Sequence, residues 1–138
     1  MDNLKILKWI NIIGGIYEII FGVLLIFWIQ DLLKLLGVFY VNINFPIFNQ
    51  TAGLLAIIFG ILLITSAIDV ERYLLIPIVS IILRFAIQFV IFPNIPVIPE
   101  MTIGLISFAI VDLIFGVITL IMVKKCGFSI KTLSSNNT

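Results

Sequence analysis

Glu18, Arg84 and Asp112 are the residues of this chain best placed to do chemistry: two carboxylates and one guanidinium, each near the middle of a different apolar stretch. A carboxylate can accept, release or share a proton, and a guanidinium can hold two carboxylates at once through its planar fork. On insertion scales an ionised group at the centre of a bilayer costs about 2.5–3.5 kcal/mol. Three such groups facing lipid would cost on the order of 8–10 kcal/mol, comparable to the whole stability of a small domain. The inexpensive arrangement is internal, with Arg84 between Glu18 and Asp112. With all three ionised the formal charge is −1, and desolvation favours a proton on one of the two carboxyls. The residue types do not choose which.

Their neighbours fall on shared helical faces. Pro77, Ser80, Arg84 and Gln88 form one polar stripe, and Asn11, Gly14 or Gly15, Glu18 and Gly22 form another. Gln88 and Asn11 are therefore expected to be secondary hydrogen-bonding groups. Gly104, Phe108, Asp112 and Gly116 recur every four residues, and Gly53, Ala56, Gly60 and Ala67 supply small residues for close backbone approach. A pocket lined by Phe21, Phe108 and these polar groups would suit a quinone-like molecule or a lipid head group. The segments Glu18-Ile19-Ile20-Phe21-Gly22 and Asp112-Leu113-Ile114-Phe115-Gly116 echo one another, as a duplication or a chance product of an Ile-, Leu- and Phe-rich chain would.

Only membrane spans can position such a set. The chain has 138 residues, 62% hydrophobic and 11% charged, too few charges to cover a water-facing surface. Four stretches approach the ~20 residues that cross a bilayer: about 7–29, 47–68, 73–92 and 101–123. The first follows Lys5 and Lys8 but is too long for a signal peptide and lacks a small-residue cleavage site. The expected fold is an all-α, four-helix up-down transmembrane bundle over residues 1–125, with a polar, disordered tail over 126–138. A short interfacial helix ending at Gly37 is expected from Asp31 and Lys34 among leucines. Pro93, Pro96 and Pro99 predict a stiff connector beginning after Phe92.

Residue counts set the depth of the three charges. Glu18 lies about ten residues past Lys8, roughly 15 Å of helix, and Arg84 and Asp112 each lie about twelve from Arg72 and Lys124, roughly 18 Å. All three should then share one level near the midplane. Lys5, Lys8, Arg72, Lys124, Lys125 and Lys131 fall on one side and only Lys34 on the other. That imbalance predicts both termini in the cytoplasm, with Trp9 and Tyr73 at one interface and Trp28 at the other. Asn49-Gln50-Thr51 matches a glycosylation sequon but abuts the second span.

Composition also excludes. There is no histidine, and Cys126 is the single cysteine, so an intramolecular disulfide, a histidine-ligated haem and the usual zinc sites drop out. Neither a dinucleotide fingerprint nor a P-loop is present, and a net charge of +1 gives no footprint for nucleic acid. Cys126 follows Lys124-Lys125, a position that could accept a palmitoyl group, but an ordinary cytosolic thiol is the favoured reading.

The stretch Phe45-Pro46-Ile47-Phe48-Asn49-Gln50-Thr51-Ala52-Gly53, then Gly60, then Ala67-Ile68-Asp69-Val70-Glu71-Arg72-Tyr73 resembles small prokaryotic four-helix membrane proteins of the BphX-like and DoxX-like kind. Shared features are an aromatic-and-glutamine approach to the second helix, spaced glycines and an acidic-to-basic inner turn. Val70 stands where those proteins carry proline, and Arg84 matches their basic residue in the third helix. The resemblance spans about residues 10–90. It implies an up-down bundle in the cytoplasmic membrane, and some DoxX-like members serve quinone-linked or redox systems.

The expected function is a non-enzymatic accessory or small-ligand-binding membrane bundle whose occupant, if any, is a quinone or lipid; no metal or haem is expected. An oligomeric transporter or channel subunit for protons or a small solute is the competing reading, and a membrane enzyme using Glu18 or Asp112 as acid or base stands behind it. The charges could equally serve to fix helix register, or to meet a second copy or another membrane protein.

Overall fold

The computed structural model describes residues 3–37, 46–97 and 99–127. Residues 38–45 of the first long connection and the tail beyond 127 lie outside that description, as does Ile98. Among the described residues the helices are α1 (Asn3–Phe27), α2 (Ile29–Leu35), α3 (Ile47–Ile68), α4 (Leu75–Ala86), α5 (Gln88–Asn94) and α6 (Thr102–Lys125), with a 3-10 turn at Pro99–Met101. Four segments of the described residues are long and apolar enough to cross a membrane: α1, α3, α4 with α5, and α6. The expected all-α four-span architecture is thus the fold.

Burial runs opposite to that of a water-soluble bundle. Asn11, Ser66, Ser80, Arg84, Gln88 and Thr119 are buried, while Ile, Leu and Phe residues such as Ile20, Leu55, Ile82, Phe89 and Ile103 face outward. An apolar exterior around a polar, small-residue interior suits hydrocarbon as the solvent. Trp9 and Trp28 lie on the outer surface, where interfacial rings belong rather than in the core.

α1 and α3 form the tightest pair. Backbone meets backbone there: a Cβ on Gly15 would stand 2.6 Å from the Gly60 carbonyl oxygen, and Gly22 and Gly53 oppose each other in the same way. Hydrogen bonds tie both ends of the pair. Asn11 Nδ2 donates to Ser66 Oγ (3.1 Å), Ser66 in turn donates to the Leu63 carbonyl (2.7 Å), and at the far end Asn49 Nδ2 donates to the Leu25 carbonyl (2.9 Å).

The end of the bundle that carries both described termini is closed. Leu7, Val70, Leu74, Ile81, Met122 and Val123 pack into one apolar cluster. The α3–α4 turn completes it: the Arg72 amide donates to Asp69 Oδ1 (3.1 Å) and the Tyr73 amide to the Asp69 carbonyl (3.1 Å). Fixed this way, the turn drives Val70 inward to 1% exposure. At the opposite end α2 forms as expected and stops at Gly37, whose φ of +94° is the left-handed conformation glycine adopts freely. Leu36 then sits against Gly104, where an added Cβ would come within 2.7 Å.

The third span differs from expectation in two ways. It carries an irregularity at Ile87, whose φ of −60° and ψ of −25° remain helical, so the chain continues in the same direction into α5. It also runs through Pro93 to Asn94 instead of ending at Phe92. Proline removes one backbone donor, but this close to a helix end the remaining turn is held by the Ile95 amide on the Ile91 carbonyl (3.2 Å) and by Asn94 Nδ2 on the Val90 carbonyl (2.7 Å).

Candidate functional site

Arg84 lies in α4, on the buried face that Pro77, Ser80 and Ile81 also occupy. Glu18 reaches it from α1 and Asp112 from α6. Nη2 donates to Glu18 Oε1 at 2.9 Å and Nη1 to Asp112 Oδ1 at 2.5 Å. One guanidinium therefore joins three spans. Phe115 covers it, with the guanidinium carbon 5.0 Å from the ring centroid, a cation–π contact that partly replaces lost hydration.

The three charges are not equally enclosed. Arg84 is 4% exposed, whereas the Glu18 and Asp112 side chains are 16% and 17% exposed. Those carboxylates border a cavity of about 390 Å³. α1 contributes Tyr17, Glu18 and Phe21 to its wall, and α3 contributes Leu55, Ala56 and Phe59. Leu83, Arg84, Ile87 and Ile91 come from α4 and α5, and Leu105, Phe108 and Asp112 from α6. All four spans line it. Its polar groups gather at one end, and the remaining wall is hydrocarbon.

The cavity follows from which helices pack and which do not. α3 lies along α1 and α4 along α6, but α3 and α4 touch sparingly. Leu55 on α3 and Leu83 and Ile87 on α4 line the cavity and are also exposed on the outer surface. The cavity is therefore a cleft that opens sideways between α3 and α4, on the apolar exterior.

Of the residues singled out from sequence, Glu18, Arg84 and Asp112 come together, and Phe21 and Phe108 pack against each other in the cleft wall at 4.9 Å between centroids. Asn11 does not join them. It lies two turns toward the closed end, where its amide bonds Ser66. Gln88 donates through Nε2 to the Arg84 backbone carbonyl (3.0 Å), while its Oε1 is buried with no hydrogen-bond partner among the described residues. It thus ties its side chain to the backbone that carries Arg84.

Tyr17 escaped the sequence reading. Its ring stacks on Phe115 (5.9 Å) and Phe21 (6.3 Å), and the residue lines the cleft beside Glu18. The available signal was its depth: tyrosines of membrane proteins favour the interface, and this one sits mid-span. No family model, curated protein or solved structure matches the chain.

Proposed function

We propose that this membrane protein is a non-enzymatic bundle that binds a lipid-phase molecule in the cleft between α3 and α4. One observation carries the reading: a cavity of about 390 Å³ is walled by apolar side chains from all four spans and bounded at one end by Glu18, Arg84 and Asp112. Ligand sites of this type are largely apolar with a few convergent polar groups that fix orientation. A charge network serving helix register alone would need no cleft beside it. Both termini belong in the cytoplasm on this reading, from the distribution of lysine and arginine. Kinship with the BphX-like and DoxX-like proteins is part of the same proposal and rests on the Gln50 approach, the spaced glycines and the Asp69–Arg72 turn.

Native mass spectrometry of the protein in mild detergent tests it. The wild type should carry a small molecule that is lost when Ala56→Phe fills the cleft from α3. An empty wild type, or an unchanged adduct in the variant, overturns the reading.

A further inference from the structure

We infer that the cleft takes a hydrophobic organic cation, in exchange for the proton that otherwise neutralises the carboxylate pair. This deepens the ligand-binding reading and rests on it. Glu18 and Asp112 share a single guanidinium, so the fully ionised site has a formal charge of −1 in a wall that is otherwise apolar. An uncompensated charge there is strongly unfavourable. It must be cancelled either by a proton on one carboxyl or by a cation lodged beside them.

The guanidinium is the enclosed member, both its Nη atoms are engaged, and Phe115 covers its face. Arg84 shares the wall of the cleft with Glu18 and Asp112, but the carboxylates are the more exposed groups there. A quinone carbonyl would need a donor, either the retained carboxyl proton or the Tyr17 hydroxyl, but with both carboxylates ionised the polar end is an acceptor end, mismatched to a phosphate. It matches a positive charge.

The rest of the wall specifies the kind of cation. Tyr17, Phe21, Phe59 and Phe108 line the cleft, and aromatic faces attract poorly hydrated organic cations. A small metal ion or ammonium ion would lose its water here without enough oxygen ligands to replace it. A cation shielded by alkyl or aryl groups loses little. It would also partition into lipid, from which the cleft is reached past Leu55 and Leu83.

Exchange then balances without a further reactant. The carboxyl releases one proton to water as one monocation arrives, and the site is neutral before and after. The titratable and charged groups that line the cleft are Tyr17 and Glu18 from α1, Arg84 from α4 and Asp112 from α6; α3 and α5 contribute only Leu55, Ala56, Phe59 and Ile91, which do not titrate.

The test is equilibrium binding to the full-length protein in phosphatidylcholine nanodiscs, with empty nanodiscs subtracted. The probes are tetraphenylphosphonium, its anionic isostere tetraphenylborate, and a short-chain quinone. Tetraphenylphosphonium should bind saturably at pH 8 and at least tenfold more weakly at pH 5. That comparison needs no variant. Glu18→Gln and Asp112→Asn should each weaken it tenfold or more, and Phe59→Leu, which leaves the charges intact, severalfold. Tetraphenylborate and the quinone should show no saturable binding. Saturable binding of either one, abolished by Ala56→Phe and without binding of the phosphonium, overturns the ligand class and leaves the cleft as a binding site. Phosphonium binding that ignores pH overturns the exchange. Failure of every probe, together with an empty native mass spectrum, overturns both readings.

Discussion

The two halves of this bundle are built on different principles. Toward the described termini, Leu7, Val70, Leu74, Met122 and Val123 close the interior with hydrocarbon. In the middle and toward α2, the same four spans enclose two carboxylates, a guanidinium and open space. The turn from Asp69 to Leu74 ties α3 to α4 at the closed end, whereas at the far end α3 is tied to α1, through Asn49 and the Leu25 carbonyl. Glycine-to-glycine contact holds α3 against α1 along their length. α3 can therefore stand off α4 and leave a cleft. One half is thus packed with hydrocarbon, while the other is charged and partly hollow.

Substitutions can break that division or sharpen it. The largest effect should come from Arg84→Leu, which strands two carboxylates. Loss of one partner of a buried pair costs about 3–5 kcal/mol, so denaturant unfolding in detergent should shift by that order or the variant should fail to accumulate. Next is Gly15→Ala, whose methyl group would meet the Gly60 carbonyl oxygen. Overpacking of this kind costs about 1–3 kcal/mol, and the same unfolding assay should show it together with a change in probe binding as α3 moves. Asn11→Ala should be milder, about 0.6 kcal/mol with an upper range near 1.7, with probe binding unchanged because Asn11 bonds Ser66 in the closed half. If Asn11→Ala alters binding, the two halves are coupled and the division fails. Ala56→Phe should change stability least, by less than about 1 kcal/mol if the ring fills the cleft without displacing its neighbours, while removing the ligand.

Much of this was legible in the residues, for identifiable reasons. Spans announce themselves by length and apolarity, and a charge within them stands out because lipid makes it expensive. Glu18, Arg84 and Asp112 could thus be joined before any coordinates. The stripes on α4 and α6 correctly located Pro77, Ser80, Gly104 and Gly116 inside. Other features were hidden. Pro93 read as a stop, since its effect depends on how many helical bonds remain after it. Asn11 and Gln88 share faces with the charges, but two turns of rise and a local backbone carbonyl gave them other partners. The cleft was hardest to anticipate: the residue types point to a pocket of Phe21, Phe108 and the polar groups, but not to its α3 wall or its opening. A gap between α3 and α4 is an absence of packing, and no residue type encodes it.

The interdependence of the three charges is tested most directly by a thermodynamic cycle. Unfolding free energies of the wild type, Arg84→Leu, the Glu18→Gln/Asp112→Asn pair and the combined triple variant would be measured in one detergent. The triple variant should recover most of the stability lost in Arg84→Leu, with a coupling energy of about 2–3 kcal/mol or more. Strictly additive losses, with coupling near zero, would contradict the account.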